Sequence, residues 1–155
     1  RSYNRAYLDT VCRRFEKVLK GAAMMTETEV EIIEEKKVDN KIPVLTLNDL
    51  VMKQAEELHA PQLAPAREKT GSTDFGNVMR RVPGTCARIA FVDPGAAAHS
   101  QEYIAAGKTD AAHDAVVYGA KILAGTALEL IEDPELLNRV KTEFKENLAK
   151  ENSEV

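Results

Sequence analysis

Two helical patterns that meet at Asp133 and Pro134 constrain this chain more than any other feature. From about residue 110 to 131 the chain is rich in alanine and glycine, with His113, Val116, Val117, Ala120, Leu123 and Ala127 at helical spacing along one side. Side chains that small predict a helix lying close against a sheet. Asp133 then offers an N-cap and Pro134 a first-turn residue for a last helix, whose apolar stripe is Leu136, Leu137, Val140, Phe144 and Leu148. The tail from Lys150 is polar and reads as frayed.

Upstream, residues 5–20 place Tyr7, Leu8, Val11, Cys12, Phe15, Val18 and Leu19 on one helical face, with Asn4 as N-cap and Gly21 as stop. Residues 27–35 alternate acidic and apolar side chains (Glu29, Val30, Glu31, Ile32), the period of a strand with one wet face. Polar residues from Val38 to Pro43 predict a boundary, so we divide the chain into 1–38 and 39–155. Asn48 and Asp49 open a further helix (Leu50, Val51, Ala55, Leu58), which Pro61 and Pro65 close. Residues 71–84 read as an ordered loop, and the apolar run 86–92 as a strand buried on both faces. A helix followed by such a strand, as in residues 5–35, is half of an α+β sandwich.

Composition excludes several classes of function. Lys plus Arg 21 against Asp plus Glu 25 gives a net charge of -4, and the basic residues are interspersed with acidic ones, which argues against a nucleic-acid partner. No apolar run approaches the roughly 20 residues of a membrane span. Two cysteines, Cys12 and Cys86, are too few for a disulfide framework and lack zinc-ligand spacing; the expectation is buried free thiols in a reducing cytoplasm. The chain starts at Arg1 without Met or a leader pattern, so no secretory signal is expected, and an upstream portion remains open.

Two short motifs carry chemistry. In the loop Gly71 to Asn77, glycines permit sharp turns and exposed amides, while Ser72, Thr73 and Asp74 put two hydroxyls and a carboxylate in one small volume. Such a loop suits an anionic or polar ligand, or is a capped turn whose side chains satisfy its own backbone. His99 follows small residues at the end of the predicted strand 86–92, and imidazole is the commonest metal ligand. The loop lacks the Gly-Lys-Ser or Gly-Lys-Thr of a phosphate-binding loop, and its aspartate would repel a phosphate.

Taken together and in order, GSTDFGNVMRRVPG and AAAHSQEYIAAGKTDAAHDAVVYGAKILAGTALELIEDPELL resemble the C-terminal portion of metal-dependent amidohydrolases and metallopeptidases. These are the aminoacylases, glutamate carboxypeptidases and aminobenzoyl-glutamate hydrolases. The resemblance implies that 1–38 is the end of an α+β lid and dimerisation domain, and that 39–155 is the C-terminal part of a layered α/β catalytic domain. It implies His99 as a metal ligand and Gly71, Ser72, Thr73 and Asp74 as substrate-pocket residues. Arg1 falls where relatives place an arginine near a substrate carboxylate. Asn48 resembles an asparagine near the return to the catalytic domain, and serves equally as a cap.

The same resemblance implies two divalent ions (zinc, manganese or cobalt) in the intact enzyme, about 3.5 Å apart, that polarise the carbonyl of a small N-acyl or aminoacyl substrate and generate hydroxide. The family's His-X-Asp motif, its paired glutamates and its further histidine have no counterpart here. His59 reads as a surface residue and His113 as a packed or helix-interface one. No catalytic residue is therefore expected in this chain, which alone should bind metal poorly and be inactive until joined to a missing N-terminal half. A cytoplasmic homodimer formed through the lid is implied. The alternative is a noncatalytic α/β interaction or ligand-binding module.

Overall fold

The computed structural model describes Ser2, residues 4–65 and residues 71–153. Among them are six helices: α1 (Arg5–Met25), α2 (Leu45–Glu57), α3 (Phe75–Met79), α4 (Gln101–Ala106), α5 (Asp110–Glu132) and α6 (Pro134–Ser153). The described residues contain no strand, so the expected α/β class, with its α+β lid fragment and layered catalytic portion, is overturned. A strand exists only when its backbone N–H and C=O groups meet those of a neighbour. Both segments with strand-like patterning lack that neighbour: residues 28–44 and 83–91 run without helix or strand. Cys86 to Arg88 are exposed, so the second segment is not buried on both faces either.

The core lies where α2, α5 and α6 meet. In α2, Leu47, Leu50, Val51, Gln54 and Ala55 are buried, which is the i, i+3, i+4, i+7, i+8 spacing of one helical face. The early part of that face joins Ile42, Val44, Val140 and Phe144 in one cluster, with Leu130, Leu136 and Leu148 packed around it. Its later part, Val51 and Ala55, meets Ile122 of α5 beside Ile89 and Leu58. Ile42, Val44, Ile122 and Val140 are all at most 2% exposed, and each contributes about 1.5–3 kcal/mol through burial. Lys53 and Gln54 clasp Glu129 across α2 and α5, with Gln54 Nε2 donating at 2.5 Å and Lys53 Nζ at 2.9 Å.

Local signals place several helix ends. Asn4 accepts the Tyr7 amide at 2.8 Å and caps α1, while Asp133 accepts the amides of Glu135 and Leu136 at 3.0 and 2.9 Å and caps α6. Gly21 does not end α1, which continues to Met25 before Thr26 closes it. A helical glycine costs about 1 kcal/mol relative to alanine but need not break the helix. α1 buries no side chain.

Three further expectations change. The helix expected to open at Asn48 starts a turn earlier, at Leu45, and Asn48 instead accepts a hydrogen bond from the Thr85 hydroxyl. The side of α5 expected to pack is its exposed one: Val116, Val117 and Leu123 face outward, and Ala112, Ala115, Ile122 and Thr126 are buried. Gln54 lies against Gly125 on the buried side, where a β-carbon would collide with it, so α2 approaches α5 along the face with the smallest side chains. Both cysteines are exposed rather than buried.

The N-terminus of α2 lacks a cap of its own, since Val44 offers no side-chain acceptor. Glu143 of α6 supplies one: its two carboxylate oxygens accept the amides of Leu45 at 2.6 Å and Thr46 at 3.0 Å. Burial pushes the Glu143 pKa up, but hydrogen bonds from Thr46 and Leu45 outweigh it and hold the group below its ordinary value of 4.5. A carboxylate with a depressed folded pKa stabilises above the unfolded pKa, and that contribution disappears as pH falls through the folded one. Glu143→Gln should therefore cost about 1 kcal/mol at neutral pH. The gap between wild type and variant, read from urea melts, should close as the pH is lowered below the ordinary glutamate range; a gap that is constant with pH would remove the charge from the argument.

Candidate functional site

Gly71 to Asp74 lead into α3, with Gly71, Ser72 and Asp74 exposed and Thr73 half-buried. The Phe75 amide donates to Thr73 Oγ1 at 3.3 Å, and the Gly76 and Asn77 amides donate to the carbonyls of Thr73 and Asp74 at 3.1 and 3.0 Å. These are local turn bonds, set by the hydroxyl and glycine pattern of the segment itself. Ser72 is exposed.

Asp74 is not a free carboxylate. Lys36 reaches it at 3.1 Å, and that hydrogen bond, followed by the ammonium charge, holds the Asp74 pKa below its ordinary 3.8. Asp74 therefore stays ionised at neutral pH and serves as a fixed negative charge, not a proton donor. Both partners are exposed, so solvent screens the pair.

The back of the loop is fastened by side chains from distant segments. Asn77 accepts the Asp39 amide at 3.0 Å and donates to the Lys37 carbonyl at 3.0 Å, tying α3 to residues 37–39. Asn40 is the next node: its Oδ1 accepts the Arg5 amide at 3.1 Å and Arg80 Nη1 at 3.2 Å, while its Nδ2 donates to Glu151 at 2.9 Å. Arg5 pairs with Asp39 at 3.4 Å, and Arg80 donates to Asn152 at 3.1 Å. One asparagine thus joins the start of α1, the end of α3 and the end of α6.

His99 lies in the turn before α4, exposed, with φ of 65°. Left-handed backbone is uncommon outside glycine, though histidine tolerates it better than branched residues. It reverses the chain so that Ser100 can cap α4, its Oγ accepting the Tyr103 amide at 3.2 Å. The strand expected to end just before His99 is absent, as described above.

Among the described residues no hydrogen bond joins the loop to the histidine. Of two open surface cavities, the smaller is lined by Val92, Asp93, Glu102 and Ala106, and the larger, of about 600 Å³, by His59, Phe91, Asp93, Asp114 and Tyr118 among others. Neither takes in Gly71 to Asp74 or His99. His59 stands on this rim with φ of 52°, a placement its sequence context did not signal, and His113 is exposed on α5 rather than packed. Arg1, expected near a substrate carboxylate, lies outside the described residues.

Among the described residues there is no group of three or more His, Cys, Asp or Glu side chains that could hold a metal ion. No described helix is long and apolar enough to cross a membrane. No family model matches the chain. It is 33% identical over 148 residues to the Xaa-Arg dipeptidase of Mus musculus, an alignment covering 93% of this chain and 34% of the mouse protein. The chain is a sequence relative of peptidases. It is also 39% identical over 82 residues to the Xaa-Arg dipeptidase of Homo sapiens, covering 53% of this chain and 19% of the human protein. The chain thus spans about a third of the mouse relative, at 34% of its length.

Proposed function

We propose that this chain is part of a metal-dependent hydrolase that cleaves an amide bond in small N-acyl or aminoacyl compounds, dipeptides included. The observation that carries the reading is the similarity to a dipeptidase along nearly the whole chain, 148 residues at 33% identity. The resemblance of GSTDFGNV and AAAHS to aminoacylases, glutamate carboxypeptidases and aminobenzoyl-glutamate hydrolases narrows it further.

In this reading Gly71, Ser72, Thr73 and Asp74 line the substrate pocket, and Arg1 contacts a substrate carboxylate. Ser72 is exposed and able to bond a ligand, and Asp74, kept ionised by Lys36, contributes fixed charge. The described residues do not fit a metal centre by themselves, because the His99 imidazole stands without two further ligands. We assign His99 as one ligand of a centre, binding zinc, manganese or cobalt, that residues outside this chain complete. The units 1–38 and 39–155 correspond to a dimerisation segment and a catalytic segment of a cytoplasmic protein. The exposed stripe Tyr7, Val11, Phe15 and Val18 on α1 supports a homodimer contact there.

A chimera in which this chain replaces the matched third of the mouse dipeptidase provides the test. It should hydrolyse Xaa-Arg dipeptides in a chelator-sensitive way, while the 155-residue chain alone should not. His99→Ala should lower kcat/KM of the chimera about tenfold to a hundredfold or more and weaken metal binding by calorimetry. His59→Ala and His113→Ala should leave both nearly unchanged. An inactive parent chimera, an undiminished His99 variant, or chelator-resistant hydrolysis by the chain alone would each overturn the reading.

A further inference from the structure

α5 is apolar on both sides. Its buried side carries Ala112, Ala115, Ile122 and Thr126, and Ile122 there meets Val51 and Ala55 of α2 with Ile89 beside them. On the opposite side Val116, Leu123 and Ile131 are 71%, 69% and 77% exposed, with Val117 and Leu128 also exposed. Ala120, Ala124 and Ala127, exposed as well, lie between them. At 100° per residue these positions form one arc about 140° wide, with His113 the single polar side chain inside it and Asp110 level with Leu128 at its edge. The charged residues Asp110, Asp114, Lys121 and Glu132 form a band along one edge of that arc. A helix with apolar faces on two opposite sides suits a place between two layers, and a contiguous apolar face of this kind marks an interaction surface.

We propose that this face of α5 is the docking surface for polypeptide corresponding to the two thirds of the dipeptidase relatives that this chain does not span. The inference rests on the hydrolase reading above and names the partner it needs. The chain covers 34% of the mouse relative, so the partner is available in a protein of that length. An uncharged arc selects an apolar partner surface, and the alanines at its middle let that surface approach closely. A second copy packed antiparallel through the same face fits less well. It would set the band of three carboxylates and Lys121 beside its own copy, where like charges repel.

The test mixes the purified 155-residue chain with the part of the mouse dipeptidase outside the matched third, and follows association by light scattering and calorimetry. An equimolar complex is expected, weakened at least about tenfold by Val117→Asp combined with Leu123→Asp. Lys145→Asp, on the exposed side of α6, should leave it unchanged. Both arc residues are solvent-facing, so circular dichroism should show the double variant folded. Absence of any complex, a complex indifferent to the double variant, or self-association that this variant abolishes would each overturn the proposal, the last in favour of a second copy. A complex without dipeptide hydrolysis would leave the docking surface standing and remove the hydrolase reading. Hydrolysis recovered without dependence on the arc would do the reverse.

Discussion

Phe144→Ala should lower the unfolding free energy of the chain by about 3–5 kcal/mol, the cost of removing a buried aromatic ring and leaving part of the space empty. Phe144 is 8% exposed and shares a cluster with Ile42, Val44, Leu47, Leu50 and Val140. That cluster joins α6 to α2 and to the extended segment before it, so no neighbouring element can close over the gap without losing its other contacts. Small domains have total stabilities of about 5–15 kcal/mol, so the loss is about a fifth of the whole or more. Leu123→Ala supplies the contrast: at 69% exposure it should change the isolated chain by no more than about 0.5 kcal/mol. Urea denaturation of both variants is the measurement. A Phe144 loss below about 1 kcal/mol would mean that α6 does not pack as described.

Gly76→Ala is the second large effect, about 3–5 kcal/mol, from overpacking and the loss of two hydrogen bonds of about 1 kcal/mol each. A β-carbon on Gly76 would run into the backbone carbonyl of Asp39, with Asn40 close behind. No described glycine has positive φ, so alanine suits the Gly76 backbone and the penalty comes from contact alone. Backbone cannot swing aside as a flexible side chain does. The segment 37–40 must move away from α3, which stretches both Asn77 hydrogen bonds to it and shifts Asn40. Amide exchange should then speed up at Asp39 and Asn77 together with the drop in stability, and unchanged exchange there would sink the account. In the chimera the same substitution should raise KM more than it lowers kcat, because it disturbs a loop assigned to substrate.

The candidate site was legible in part. The turn at Thr73 to Asn77 follows from glycine, hydroxyl and amide groups within four residues of one another, and its bonds are local. Its charge partner was not legible: Lys36 is 38 positions from Asp74, just past the segment whose alternation resembles a strand. His99 was recognised by residue type and neighbours, whereas its left-handed backbone carries no signature beyond the small residues before it. His59 at the larger cavity gave no signal, because a cavity rim is made by three segments distant in the chain.

The sequence by itself determined the helices that announce themselves within a turn. Asn4 for α1 and Asp133 with Pro134 for α6 act through side-chain acceptors two or three residues from the amides they cap, so adjacent chain suffices. Only the tertiary structure decided the rest. The start of α2 depends on Glu143, 98 positions beyond Leu45, and which side of α5 is buried depends on where α2 and α6 come to lie. α5 is apolar on both sides, so periodicity alone gave no basis for choosing between them. Strand-like alternation at Glu29 to Ile32 describes two faces of a segment, but a strand needs a neighbour for its backbone, and the described chain supplies none there.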